Sequence, residues 1–552
     1  MASTTLMYRR ALRTLREQPL LVRCTAAAVV AVLVIDLAAL GAKSGTSDSS
    51  HNTAAAGRRS TVAAGAQPTA AGSDSTGSDV RSAPAGAAGG TGAGDGSPVG
   101  GTALGGDFGG PPPDRPQLTA SDRGVTETTV KVVFPWFDIG AYTSASGTTT
   151  DEPLEGGPDA ITAYVNYINA TGGLDGRMID PIIEEFNPLN ETDMEERCRR
   201  WTEDDKVFAV VDSQAWHSSH QLCITADHQT PLVTNLGLAE KWPQDGAPYL
   251  WYTAPTSEET IDDWVLWMVE SGQLIDKDAL PPGTTPSVIG VVTGVKEEEK
   301  LGKAAIERAL DKVGLLDQAR FREIPGYTAD IGLAQPAIAT AIADFKTPGN
   351  KVDRLLMGLS ALVFTTWMNQ ADAQDFYPQY ELSDFNNTIT VADALLASDH
   401  PKSLKDAVGP SYIRLGEVSP ANGGTFAPAQ QRCNEIWRAA NPNAHEIDGA
   451  GVAMRWCDNI FLFAEGARRA TRTNSGVLTR QNWAEAMATI QGVEAGMSPT
   501  LSFSPGDYSG PTMTKVVKLR TEEQAFCTGR DPADDANCLE EIAPYVPMRR
   551  FS

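Results

Sequence analysis

Three histidines, His217, His220 and His228, lie close together in the first half of the chain. Imidazole is a good zinc ligand, and His217 and His220 share one face if the segment is helical. No carboxylate accompanies them at a firm ligand spacing, and the whole chain has only six histidines. They read as solvated or hydrogen-bonded helix residues, with no metal expected. No HExxH, no GxSxG elbow, no Walker loop and no dinucleotide fingerprint after a strand occurs. The expectation is a chain with no catalytic residues and no cofactor, one that is not an enzyme.

Of the seven cysteines, Cys24 stands apart near the N-terminus. The other six fall as sequence-near pairs: Cys198 with Cys223, Cys433 with Cys457, and Cys527 with Cys538. An even number outside the cell argues for disulfides, and local pairing is expected.

The chain has 552 residues and a net charge of −25, long enough for two lobes. Residues 1–42 carry five arginines against Glu17 and Asp36, a net +3 that leaves −28 on the rest. So acidic a surface repels nucleic acid and anionic headgroups, and no nucleic-acid partner is expected. Basic residues precede the apolar run CTAAAVVAVLVI, which suits a signal-peptide core or, tolerating Asp36, a retained signal anchor. Arginines on that side keep the N-terminal end inside the cell. Residues 43–118 are rich in Gly, Ala, Ser, Thr and Pro without apolar periodicity, the composition of a disordered linker. The expected location is therefore extracytoplasmic, either tethered to the membrane by an uncleaved N-terminal helix or secreted after cleavage.

The remainder, 119–552, alternates strands and helices. VKVVFPW (130–136) is a near-continuous apolar strand of the type buried on both faces. Ile161, Tyr164, Val165 and Ile168 share a helical face, Gly172 and Gly173 end that helix, and residues 178–186 form the next strand. Thr192 with Glu195 reads as a capping box, as does Thr256 with Glu259. Strands are predicted over 207–211, 231–234, 287–292, 354–358 and 380–383. Helices are predicted over 300–313, 333–345, 363–373, 452–469 and 481–491, followed by a strand ending at KVVKL. Strand–helix alternation favours an α/β protein with parallel sheets covered on both faces. Two Rossmann-like lobes are expected: a first mainly 125–255, a second mainly 256–390, and a C-terminal part 391–552 shared between them.

The segment YVNYINATGGLDGRMIDPIIEEF resembles the first crossover of type I periplasmic-binding-protein-like proteins, the extracytoplasmic receptors of branched-chain amino-acid ABC transporters. The likeness continues in VFAVVDSQAW, TPLVTNLG, SVIGVV, LLMGLSALVFTTWM and LSFSPGDYSGP, in the same order. It implies two lobes joined by a hinge, closing on a small polar solute, as in leucine-binding proteins. In parallel α/β sheets ligands sit beyond the carboxyl ends of the strands. The residues there are Trp136 and Asp138, Ser213 to Trp216 with Gln214 and Ala215 between, and Thr234 and Asn235 in the first lobe. In the second they are Thr293 and Gly294, Ser360 and Ala361, and Asp384 and Phe385. The resemblance assigns the Ser213–Trp216 and Thr234–Asn235 loops to a ligand carboxylate, and an acid near Asp384 to a ligand ammonium. Ala215 stands where many relatives place a hydroxyl, and Trp136 and Trp216 make the mouth aromatic. A larger or aromatic solute is open beside leucine, isoleucine and valine.

The implied function is capture of a small amino-acid-like molecule for delivery to an ABC permease in the membrane. The alternative is a membrane-tethered envelope sensor or regulator that binds a protein partner on the same fold.

Overall fold

The computed structural model describes residues 117–138, 157–188, 190–213, 216, 219–275, 287–325, 331–392, 400–415, 417, 424–444, 447, 451–520 and 539–551. The expected signal or anchor segment, nearly all of the linker, and Gln214, Ala215, His217, Cys527 and Cys538 lie outside them. Among the described residues no helix is long and apolar enough to cross a membrane.

The first half runs β1 (Thr129–Trp136), α1 (Pro158–Ala170), β2 (Met178–Glu185), α2 (Glu191–Arg199), β3 (Ala209–Asp212) and α3 (Ser219–Leu222). Then come β4 (Leu232–Thr234), α4 (Lys241–Asp245), β5 (Leu250–Tyr252) and α5 (Ser257–Glu270). The next series is β6 (Ile289–Gly294), α6 (Glu297–Lys312), β7 (Ala319–Ile324), α7 (Ile331–Phe345), β8 (Arg354–Gly358) and α8 (Ala361–Ala373). The rest is β9 (Gln379–Glu381), α9 (Thr388–Val391), β10 (Val408–Ser411), α10 (Pro428–Ala440), α11 (Val452–Thr473), α12 (Arg480–Met487), β11 (Met513–Leu519) and β12 (Leu539–Pro547).

Two sheets organise these elements. The first is wholly parallel, in the order β2-β1-β3-β4-β5. The second, β12-β11-β10-β9-β8-β6-β7, is parallel from β7 to β10, and β11 pairs antiparallel with both β10 and β12.

Side-chain alternation explains why the central strands are apolar on both faces. On β1, Val130, Val132 and Phe134 enter one core cluster while Val133 enters the cluster on the opposite face. On β8, Leu355 and Met357 face one cluster and Leu356 the other. These central strands are covered on both faces, as a doubly wound sheet requires, while the edge strands β2, β7 and β12 are partly exposed.

Helix α1 buries Ile161, Tyr164, Val165 and Ile168, the predicted stripe. It ends where Gly172 and Gly173 take φ of 107° and 65°. A Cβ on Gly173 would collide with the Arg177 carbonyl, so this turn needs glycine for space as well as for angle. The cap of α2 differs from the expected Thr192 box. Asn190 is the N-cap, its side chain accepting from the Asp193 amide, which starts the helix two residues earlier. The Thr256–Glu259 box is present on α5, with both reciprocal bonds.

The chain passes between the lobes after β5, after β10 and again before β11. Helices α10 and α11 pack on α1 of the first lobe, while β11 and β12 complete the second sheet. The crossings are bonded to each other: the Tyr252 amide donates to Tyr508 O (2.8 Å), and the Arg414 amide to Met497 O (2.8 Å). Disulfides Cys198–Cys223 and Cys433–Cys457 join α2 to the segment after α3, and α10 to α11. Closing loops of 25 and 24 residues, each stabilises the fold by roughly 3 kcal/mol in the chain-entropy picture.

Candidate functional site

Because their strands run parallel, the carboxyl ends of β3 and β4 share one edge of the first sheet, and those of β6, β8 and β9 one edge of the second. Buried polar atoms without partners collect there. Ser213 Oγ follows β3, Asn235 Oδ1 follows β4, Thr293 Oγ1 ends β6 and Ser360 Oγ follows β8. Among the described residues none of the four has a hydrogen-bond partner. A buried polar group left unmet costs about 1–3 kcal/mol. Ser360 is the N-cap of α8, where a serine normally bonds the first turn, yet its side chain makes no capping bond.

A small cleft, with about 40 Å³ of sheltered space, opens between the lobes. Its first-lobe wall is the loop from Asn235 to Leu238, with Ala254 and Pro255 of the first crossing. Ser257 and Thr260 of α5, the run Asp384, Phe385, Asn386 and Asn387, and Tyr412 form the other wall. The first-lobe loop is aimed by Thr234, whose hydroxyl donates to Asp212 Oδ2 (2.8 Å) and accepts from the Leu236 amide (3.1 Å). Asp212 is held in turn: its carbonyl accepts from Asn459 Nδ2 of α11 (2.6 Å).

On the second-lobe wall Asn386 and Asn387 both take left-handed φ, 53° and 54°. Asparagine tolerates that region better than most residues. The Asn386 side chain donates to Gly358 O (2.7 Å), fixing the turn to the end of β8. Phe385 is 3 % exposed, and a Cβ on Gly302 of α6 would collide with its ring. Asp384 accepts from Ser411 Oγ (3.0 Å) and the Tyr412 amide (2.7 Å). Burial pushes its carboxyl up to about 7, opposed by those bonds and by the nearby positive charge of Arg455 on α11. Asp384 from one lobe and Arg455 from the other thus both lie near Tyr412, offering an acidic and a basic group to one ligand.

Of the residues picked from the sequence, Asn235, Asp384 and Phe385 line this cleft. Thr234 positions its loop, and Ser213, Thr293 and Ser360 supply unmet hydroxyls at neighbouring strand ends. At Gly294 a Cβ would collide with the Glu299 carboxylate, and Ala361 opens α8. Asp138 is exposed at the end of the first described segment.

The tryptophans depart from expectation. Trp216 is fully buried, its ring centroid 4.8 Å from that of Trp201 and 5.2 Å from that of Phe186, and its Nε1 donates to His220 O. It belongs to the first lobe's core and leaves the mouth less aromatic than predicted. Trp136 is half-buried and packs on Gly157, where a Cβ would lie 2.8 Å from its ring.

Tyr412, Asn387, Ser257, Thr260 and Arg455 were not singled out in the sequence. The Asn386–Asn387 doublet straight after β9 is a readable turn signal. Tyr412 and Arg455 carry none, because they approach Asp384 only through the tertiary fold. His228 lies near the Cys198 and Cys223 sulfurs, but both sulfurs are committed to a disulfide and offer no thiolate.

The periplasmic binding protein family model matches residues 137–521. No curated protein sequence matches the chain. Among solved structures, a fatty acid ABC transporter substrate-binding protein from Thermomonospora curvata superposes with a TM-score of 0.56 at 15% identity, covering 77% of this chain and 95% of that one. A solute binding protein of an ABC transporter from Rhodopseudomonas palustris, in complex with 3,4-dihydroxy benzoic acid, gives 0.51 at 14%, covering 76% and 98%. A branched-chain amino acid transporter substrate binding protein from Streptococcus pneumoniae, in complex with isoleucine, gives 0.50 at 15%, covering 76% and 100%. At these identities the superpositions establish the fold alone. With the family model matching most of its length, the chain belongs to the periplasmic binding protein family, on the type I two-lobed fold.

Proposed function

We propose that this protein is an extracytoplasmic receptor that captures a small amino-acid-like solute between its lobes and hands it to an ABC permease. The observation that carries this reading is the set of four unmet polar atoms, two per lobe, at the carboxyl ends of parallel strands. A solute bearing a carboxylate or other acceptor finds hydroxyl donors there. An ammonium finds Asp384, and Arg455 balances it from the other lobe. The named partners of similar folds, isoleucine and an aromatic acid, fit this chemistry. A ligand touching both lobes favours the closed arrangement by its differential affinity, with no bond made or broken.

The test is thermal-shift screening of the full chain against amino acids, peptides and aromatic acids. A hit is a stabilisation that saturates with concentration. The double variant Ser213→Ala, Asp384→Ala is expected to abolish that shift while unfolding stays cooperative. An unchanged affinity in the double variant removes the site assignment.

A further inference from the structure

Outside the solute-facing wall, the cleft loop of the first lobe is gripped from the second lobe. Glu298, in the first turn of α6, accepts from the Ala239 amide through Oε1 (2.8 Å) and from the Trp242 indole through Oε2 (2.6 Å). Its Oε1 also accepts from Ser257 Oγ, in the first turn of α5 (3.1 Å). One residue further along the loop, the Glu240 amide donates to Glu258 Oε2 of α5 (2.7 Å), and the Ser257 amide donates to Leu238 O (3.0 Å). Trp242 is 2 % exposed, and Leu301 of α6 packs against the same first-lobe core. Charge-assisted bonds of this kind are the strong ones, and these two carboxylates reach consecutive backbone amides across the lobe boundary. Burial raises the pKa of both, so their bonded donors offset a real desolvation cost. The gripped residues, 239–242, directly continue the run Asn235–Leu238 that lines the cleft.

We propose that Glu298, assisted by Glu258, is a closure latch that clasps the cleft loop from behind and favours the closed arrangement of the lobes. The latch rests on the solute-binding reading for its purpose, but its geometry and its test do not involve a solute. Opening the lobes breaks four bonds at this edge at once, while the Ser257–Glu298 bond stays within the second lobe; closing restores the four, so the latch sets how much of a solute's binding energy is spent on closure.

The experiment is hydrogen exchange of the full chain, without solute, read by mass spectrometry on peptides spanning 236–244, 384–388 and 456–464. The second peptide lies across the cleft and makes none of these bonds; the third is the core of α11. Glu298→Ala is expected to speed exchange about tenfold in the first two peptides and to leave α11 unchanged. Glu298→Gln, which keeps the volume but faces two donors with one acceptor, is expected to fall between. Glu297→Ala, exposed on the same turn, is expected to change neither. The latch is overturned if only 236–244 speeds up, if neither cleft peptide does, or if α11 speeds up in step. If Glu298→Ala does not fold, Glu298→Gln decides alone: faster exchange in both cleft peptides supports the latch, and no change in either refutes it. The solute screen and the exchange experiment succeed or fail separately.

Discussion

The two edges of the first sheet treat buried polar groups in opposite ways. At the amino ends of its strands, buried arginines are spent on the backbone. Arg177, just before β2 and fully buried, donates to the carbonyls of Thr119, Thr126 and Gly476. Arg480 donates to Val207 O and Phe208 O, just before β3. Half-buried Arg123 reaches Thr202 O, ahead of β3, and His228 O and Thr230 Oγ1, just before β4. At the carboxyl ends, Ser213 Oγ and Asn235 Oδ1 find no partner among the described residues. One edge uses most of its buried polarity to hold the fold together, with Arg123 Nε and Arg177 Nη1 left unmet, and the other leaves the whole Ser213 hydroxyl and Asn235 Oδ1 unspent. A protein selected only for stability has no reason to leave the second edge so; a receptor has one, since an incoming solute then recovers the missing bonds.

The largest expected effect is at the amino edge. Arg177→Met removes three bonds to carbonyls and leaves those acceptors buried. It is expected to cost about 3 kcal/mol in denaturant unfolding, with the solute-induced thermal shift retained. Loss of solute binding without loss of stability would erase the contrast between the edges.

Asp384 gives the next effect, through pH. Its folded carboxyl, pushed up to about 7 by burial, keeps a proton that the unfolded chain releases near pH 4. The folded state therefore binds more protons across that window, and stability falls as pH rises from about 4 to 7. Glu381 and Asp458, pushed up to about 7 and 6 by burial, act in the same sense. Asp384→Asn is expected to reduce the stability difference between pH 5 and pH 8 by about 2 kcal/mol, the group being partly open to the cleft. An unaltered difference would mean that Asp384 is ionised and solvated in the folded protein.

Much of this was legible from periodicity and strand ends. The stripe of α1, its double-glycine stop and the α5 capping box are local features, decided by neighbours in sequence. The ends of β3, β4, β6, β8 and β9 followed from the rule that parallel strands deliver their carboxyl ends to one edge. Trp216 was misplaced because a loop indole has two apolar destinations, and contact with Trp201 and Phe186 decided between them. The short strands β5 and β10 escaped notice, since three or four residues carry too little alternation, and β10 includes Pro410. Glu298 sits in a run of three glutamates that reads as a solvated helix start. That Glu298 reaches across to the other lobe, while Glu299 folds back on the Lys296 amide, depends on how α6 packs.

The smallest effect on stability carries the most meaning. Ser213→Ala, Thr293→Ala and Ser360→Ala, combined in the full chain, remove three buried hydroxyls that bond nothing among the described residues. Thermal unfolding with and without a solute found by screening is the measurement. The prediction is a solute-free transition unchanged or raised, by up to about 1 kcal/mol per site, together with loss of the solute-induced shift. A triple variant that loses stability and still shows the full shift would contradict the claim that these strand ends are kept open for a guest.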